Sequence, residues 1–365
     1  MEKNEKYWED YTGLQKVKHD LLKRYLGGWF SILSRYNRRI LYVDTHAGRG
    51  KHTKGEKGSP IVALERLLTH KMKDQILQGS EIIFIYFEID KNNKIQLEKE
   101  VSLIGKLPKE VVVKVYNDDY EGVVSNILDS LEREGKNLAP SFFFIDPFGM
   151  DISMEVVKRI LKNDKAEIMI NFMSWRVDLS LNNPAHEKML NKLYGSDVWK
   201  ILKKIDEQEE RKTEAIKLYI EILNVPFPLW IQMLDDNNKL KYTLIFATKH
   251  SAGNELMKQS AWAVLPTENF VAYEVNRPDV QYLFKEEPDL TQLKMKISDE
   301  FNDQNVSYNV ILEFVNTKTI YIKKHLNKLV NELIKTGEII LVNETKFVTT
   351  HNPTLKVCIN PTMAL

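Results

Sequence analysis

The chain has 365 residues, 43% of them hydrophobic and 28% charged, the composition of a folded globular protein long enough for two or three domains. Its 52 Lys and Arg balance 51 Asp and Glu, so any nucleic-acid affinity must come from local basic patches. Cys358 is the only cysteine, which excludes an internal disulfide and makes a cysteine-rich metal site a poor reading; no signal-peptide core or apolar run near ~20 residues is present, and a cytoplasmic location without membrane partners is expected.

Leu14, Val17, Leu21, Leu22, Tyr25, Leu26, Trp29 and Leu33 recur at three- and four-residue steps, which predicts an amphipathic helix over 14–36. A short buried strand follows in RRILYVD, then the turn THAGRG. The stretch SPIVALERLLTH reads as a helix with Ser59 as N-cap and Pro60 at its first position. Further strands are expected at 81–90, 110–119, 141–149 and 166–174, each of the first three followed by a helix. These strands are nearly continuous apolar runs, so they belong to a parallel sheet covered on both faces.

Residues 175–225 read as a polar helical insertion, and 228–248 as a hairpin turning at Asp235, Asp236, Asn237 and Asn238. A mostly parallel seven-stranded sheet closed by one antiparallel hairpin is the class I, Rossmann-like methyltransferase arrangement. Residues 1–275 are expected to form this domain and 276–289 an extended linker. Residues 290–365 read as a winged helix-turn-helix of three helices and a hairpin with Asn343–Thr345 near its tip. In its last helix Ile322, Leu326, Leu329, Val330 and Leu333 make an apolar stripe, while Lys323, Lys324 and Lys328 face outward as nucleic-acid contacts.

Polar residues gather at the carboxyl ends of the strands, where open α/β sheets bind ligands. Asp44, with His46, opens a turn in which Gly48 and Gly50 permit close approach of a ligand to backbone. No Gly-Lys-Ser/Thr follows, so a nucleoside triphosphate is a poor fit. Glu88 ends strand two, where a carboxylate can accept both ribose hydroxyls. Asp118 ends strand three and can accept from an adenine amino group. Each signal alone is met by an ordinary turn; in order on consecutive strands they describe a site for an adenosine-bearing cofactor. S-adenosylmethionine fits better than a dinucleotide, given the hairpin.

Asp146-Pro147-Phe148-Gly149 closes strand four. An exocyclic base amine is a poor nucleophile because its lone pair is delocalised into the ring. A carboxylate and a backbone carbonyl accepting its two N–H bonds would localise that pair. Proline fixes φ and removes a competing donor, and an aromatic ring holds the base by stacking worth ~1–3 kcal/mol. Asp146, Pro147 and Phe148 supply those parts, and the chemistry needs no metal. Two basic clusters, Arg35, Arg38 and Arg39, then Arg49, Lys51, His52, Lys54 and Lys57, are expected to bracket the mouth.

VKHDLL, YVDTHAGRGKH, GSPIVAL, YFEID, FFFIDPFG and YTLIFATKHSAGNELMKQSAW resemble the three-Cys-motif partner protein (TcmP) family over most of the chain. The resemblance implies a methyltransferase-like fold and a radical-SAM-like three-cysteine-motif protein as partner. Several motifs are also similar to the bacterial 23S ribosomal RNA adenine-N6 methyltransferases. Carried over by motif, His19, His46, Ser59, Glu88 and Asp118 would contact the cofactor with Asp119 alongside. Asp146 would be catalytic, Phe148 would stack on the base, and Lys18 would lie near the substrate as a nucleic-acid contact. Those enzymes have two prolines before the aromatic residue; this chain has one. Three functions are therefore expected to compete: adenine-N6 methylation of RNA or DNA, a methyltransferase-fold binding partner, and a winged-helix DNA-binding regulator.

Overall fold

The computed structural model describes residues 8–265, 270–274 and 288–359. The chain forms two compact units, Met1–Leu256 with Val271–Gln281, and Met257–Phe270 with Tyr282–Leu365. The expected linker lies outside the described residues except for Pro288 and Asp289.

In the first unit, helix α1 (Gly13–Leu33) starts from a capping box: the Thr12 hydroxyl accepts from the Gln15 N–H, and the Gln15 side chain accepts from the Thr12 N–H. Then come β1 (Arg39–Asp44), α2 (Ser59–Leu68), α3 (Lys73–Gly79), β2 (Glu81–Phe87), α4 (Lys91–Leu103) and β3 (Val111–Tyr116). They are followed by α5 (Tyr120–Arg133), β4 (Ser141–Ile145), α6 (Met154–Lys162) and β5 (Ala166–Phe172). Side chains at loop-to-helix junctions set where helices begin. Asp90, Asp119 and Ser153 cap α4, α5 and α6 by accepting from free N–H groups of the first turn.

The expected insertion is α7 (Ser174–Ser180), α8 (Glu187–Tyr194) and α9 (Gln208–Leu223), with short 3₁₀ turns at Pro184–His186 and Val198–Lys204. The hairpin is β6 (Phe227–Leu234) and β7 (Leu240–Thr248), and α10 (Ser251–Val264) and β8 (Val271–Tyr273) follow. At the hairpin turn, Asp235 accepts from the N–H groups of Asn237 and Lys239, and Asn238 takes φ 56°, which Asn tolerates.

The sheet order is β3-β2-β1-β4-β5-β7-β6-β8. Strands β1 to β5 are parallel and β7 runs antiparallel to both neighbours, as expected for a class I methyltransferase fold. The sheet has eight strands, not seven: β8 adds three residues parallel to β6. So short an edge strand is held by main-chain pairing and carries no side-chain period to read. The order reverses between β1 and β4, so the crevice at this switch point lies between Asp44 and Asp146.

The second unit contains α11 (Thr291–Phe301), α12 (Tyr308–Lys318) and α13 (Lys323–Thr336), with a sheet β10-β11-β9 built from Ile339–Val342, Thr354–Val357 and Asn305–Ser307. Leu293, Ile297, Ile311, Val315, Leu326, Val330, Ile339, Leu355 and Val357 form its core. The returning wing strand starts later than a tip at Asn343–Thr345 implies. Asn343 and Asn352 both take left-handed φ and Pro353 precedes β11, so pairing resumes only at Thr354. Lys323, Lys324 and Lys328 are exposed on α13. No helix among the described residues is long and apolar enough to cross a membrane.

Candidate active site

Asp44 ends β1 with 0% of its surface exposed. The Ser59 side chain donates to its carboxylate, as does the His46 N–H at 3.3 Å. Burial, reinforced by the charge of Asp146, outweighs those bonds and the attraction of Lys18, and its pKa is pushed up to about 7. Ser59 therefore bonds Asp44 and is not the cap of α2; Gly58 occupies that position.

The turn after Asp44 places Gly48 at φ 62° and Gly50 at φ 81°, in the left-handed region. A side chain at Gly48 would run into the Trp8 indole. Glu88 follows β2, and its carboxylate accepts from the Asp90 N–H at 2.7 Å and from the Gly48 N–H. Burial pushes its pKa above the usual carboxylate range despite these bonds. The glycine turn and the acid of the next strand are thus in direct contact. Asp118 is exposed beyond β3 and accepts from the Asp119 N–H at 2.8 Å. Asp119 accepts from the Gly122 N–H at 3.2 Å as the cap of α5, so its carboxylate has a structural task.

Asp146 follows β4 at the switch point. One carboxylate oxygen accepts from the Lys18 ammonium and the other from the Asn171 amide at 2.6 Å. Burial works against its charge, but Lys18 first, then Asn171 and His46, overcome it and hold the pKa below the usual range. Lys18 is itself buried, 4% exposed, with its ammonium 5.9 Å from the ring centres of both Phe144 and Tyr242. A buried ammonium paired with a carboxylate is not placed to meet a nucleic-acid phosphate, which corrects the expectation for Lys18 as a nucleic-acid contact. Pro147 is buried and Phe148 is 56% exposed, so the ring stands at the rim, next in sequence but one to the carboxylate.

His19 stacks beside Tyr11, whose hydroxyl lies 3.0 Å from its Nδ1. Burial, then Lys18, lowers its pKa to about 3, so the ring is neutral at physiological pH. His46 packs edge-on to Tyr120, and burial lowers its pKa too. Trp8 and Tyr11 flank His52 at 5.1 Å each, and the Arg49 guanidinium lies 4.7 Å from the Trp8 ring centre. Arg49 also donates to Thr53, and Lys51 lies 3.9 Å from Glu100; both are partly buried.

The structure therefore gathers Lys18, His19, Asp44, His46, Gly48, Ser59, Glu88 and Asp146 at the carboxyl edge around β1, β2 and β4. Gly50 shapes the turn behind them, where a side chain would crowd Leu97 and Ile61. Arg35, Arg38 and Arg39 lie at the opposite edge, because Arg39 opens β1 and the strand carries the chain about 17 Å before Asp44. Arg39 there pairs with Glu81. Charge runs on either side of a strand look adjacent in sequence but face opposite ends of the sheet. Sequence reasoning missed Asn171, Trp8 and Tyr11. Asn171 had a signal: it is a lone amide near the end of the apolar strand AEIMINF.

Comparison with known proteins adds three likenesses of fold. Trm1 from Pyrococcus horikoshii, determined with S-adenosyl-L-methionine, is 12% identical, covering 97% of this chain and 92% of its own, at a TM-score of 0.37. A Legionella pneumophila protein of family DUF519 is 14% identical over 63% of this chain and 85% of its own, at 0.33. Human methyltransferase-like protein 13, determined with SAH, is 13% identical over 74% and 97%, at 0.35. Residues 273–346 match the family model for the GMT-like wHTH domain. No curated protein matches the sequence.

Proposed function

We propose that the protein is an S-adenosylmethionine-dependent methyltransferase acting on an exocyclic amine, adenine N6, of nucleic acid, with RNA preferred to DNA. The observation that supports this reading is one juxtaposition. At the switch point a buried carboxylate, Asp44, and the glycine turn with Glu88 stand beside Asp146, whose neighbour Phe148 is exposed at the rim. The fit to the cofactor is chemical. Asp44 is a buried acid held near neutrality by its surroundings, and a sulfonium or ammonium beside it would restore its charge. Glu88 would accept the ribose hydroxyls and Asp118 the adenine amino group.

When bound, the cofactor supplies an electrophilic methyl group on a sulfonium. The residues of this chain orient the amine and hold its protons. Asp146 is kept ionised by Lys18, so it accepts an N–H of the amine without being a strong base. Each of its oxygens has a second acceptor direction beyond the bonds to Lys18 and Asn171. Phe148 stacks on the base, and alignment supplies most of the rate. The proton released after transfer passes to water. Arg49 and Lys51, and Lys323, Lys324 and Lys328 in the winged helix, would meet phosphates. Membership of the TcmP family, with a three-Cys-motif protein as partner, is part of this proposal and rests on the motifs.

Calorimetry tests the cofactor site: the wild type should bind S-adenosylmethionine and Glu88→Ala should bind it at least ~10-fold more weakly, as expected for losing a charge-assisted hydrogen bond. Transfer of tritiated methyl groups to RNA and to DNA tests the reaction. Asp146→Ala should lower that rate by ~10²–10³ with cofactor affinity retained. Equal binding by Glu88→Ala, or no transfer by a wild type that binds, would refute the corresponding half.

A further inference from the structure

We infer that Asn171 is a positioning residue that fixes the orientation of the Asp146 carboxylate. This inference rests on the proposed reaction and deepens it. Strand β5 carries two buried polar side chains on one face, Glu167 and Asn171. Glu167 is a structural group, accepting from the Tyr25 hydroxyl at 2.6 Å and the Thr248 hydroxyl at 2.7 Å. Asn171 is different. It is 4% exposed, and its Nδ2 donates to Asp146 Oδ1 at 2.6 Å. A carboxylate only accepts, so chemistry assigns the amide orientation. Its Oδ1 is buried without a hydrogen-bond partner. A leucine there would fill the space and leave no orphaned acceptor; the amide's retained bond is the one to Asp146.

Register explains the reach. Ile145 pairs with Ile170, so Asn171 lies beside Asp146 as the two strands end. Lys18 grips one oxygen from α1 and Asn171 the other from β5. Two holds from different elements fix the plane of the carboxylate, and with it the directions left for an incoming N–H. The other groups facing Asp146 are His19 from α1, Tyr42 and Asp44 from β1, and His46 from the turn. Among the described residues, the side-chain bond to Oδ1 is the one from Asn171.

Asn171→Ala should lower kcat about 10- to 100-fold by misplacing the acceptor, with cofactor affinity within about twofold of wild type. Asn171→Asp places two carboxylates together, which share a proton in acid and repel when both ionise. Its rate relative to wild type should therefore recover as pH falls from 8 to 6. Carboxyl carbon NMR of Asp146 gives a readout apart from turnover: the titration midpoint should move up in Asn171→Ala. An unchanged rate and midpoint in Asn171→Ala would overturn the inference, as would a parallel loss of cofactor affinity. If the wild type transfers no methyl group but the midpoint moves, the reaction fails and the hold on Asp146 stands.

Discussion

Two buried lysines, one in each unit, show how differently a fold can accommodate the same side chain. Lys18 is 4% exposed and pairs with a carboxylate at the edge of a crevice. Lys258 is 2% exposed and donates to three carbonyls, Val315 at 3.1 Å, Asn316 at 2.8 Å and Tyr321 at 3.4 Å. Two of those carbonyls belong to the last turns of α12, which the helix itself leaves without partners. Lys258 is thus a cap that joins a helix end to the segment after it. Lys18 instead sets the charge of a neighbour that can do chemistry. Burial alone does not mark a functional lysine; the identity of its acceptor does.

Replacing each lysine by methionine separates the two roles. Lys18→Met leaves the largely buried Asp146 beside no cation and should destabilise the first unit by up to ~3–5 kcal/mol at neutral pH. The Asp146 pKa is depressed in the native protein, so its stabilising share is present above the unfolded value and lost as pH falls through the folded one. In Lys18→Met burial prevails and the carboxyl protonates, so the deficit in melting temperature should shrink toward pH 4. Methyl transfer by this variant should recover as pH rises and Asp146 ionises again. A deficit independent of pH would mean that Lys18 is only packing.

Lys258→Met should cost ~1–3 kcal/mol by removing the buried donor shared by these three carbonyls, read in the second unit by thermal or urea unfolding. Carbonyls do not titrate, so this deficit should be flat between pH 5 and 8. A slope like that of Lys18→Met would erase the contrast.

The smallest effect extends the contrast to the acids. Asp146 is held ionised by a cation, whereas Asp44 has a pKa raised to about 7 by burial. Its contribution to the stability of the free protein is present below the unfolded pKa and fades as pH rises toward 7. Binding the proposed cationic cofactor should expel that proton. Affinity should therefore weaken below pH 7 by up to about tenfold per pH unit, with proton release measurable by calorimetry in buffers of different ionisation enthalpy. Asp44→Asn should abolish the slope; a slope that persists assigns it to another group.

Much of the architecture was legible because its causes are local. Apolar runs identify parallel strands, and Asp90, Asp119 and Ser153 announce helix starts by chemistry that acts over three residues. The Asp235–Asn238 turn announced the hairpin that closes the sheet. The acids at the strand ends could be listed in order for the same reason. Sequence distance hid the rest. Lys18 and Asp146 are 128 residues apart, and no period or motif says that an ammonium and a carboxylate will share one oxygen-to-nitrogen contact. The same is true of Asn171, whose role depends on the register of β5 against β4. The sequence by itself therefore determined the elements, their order and the residue types at the sheet's edge. Only the tertiary structure decided which acid is charged, since burial and through-space partners, not neighbours along the chain, set a carboxyl's pKa.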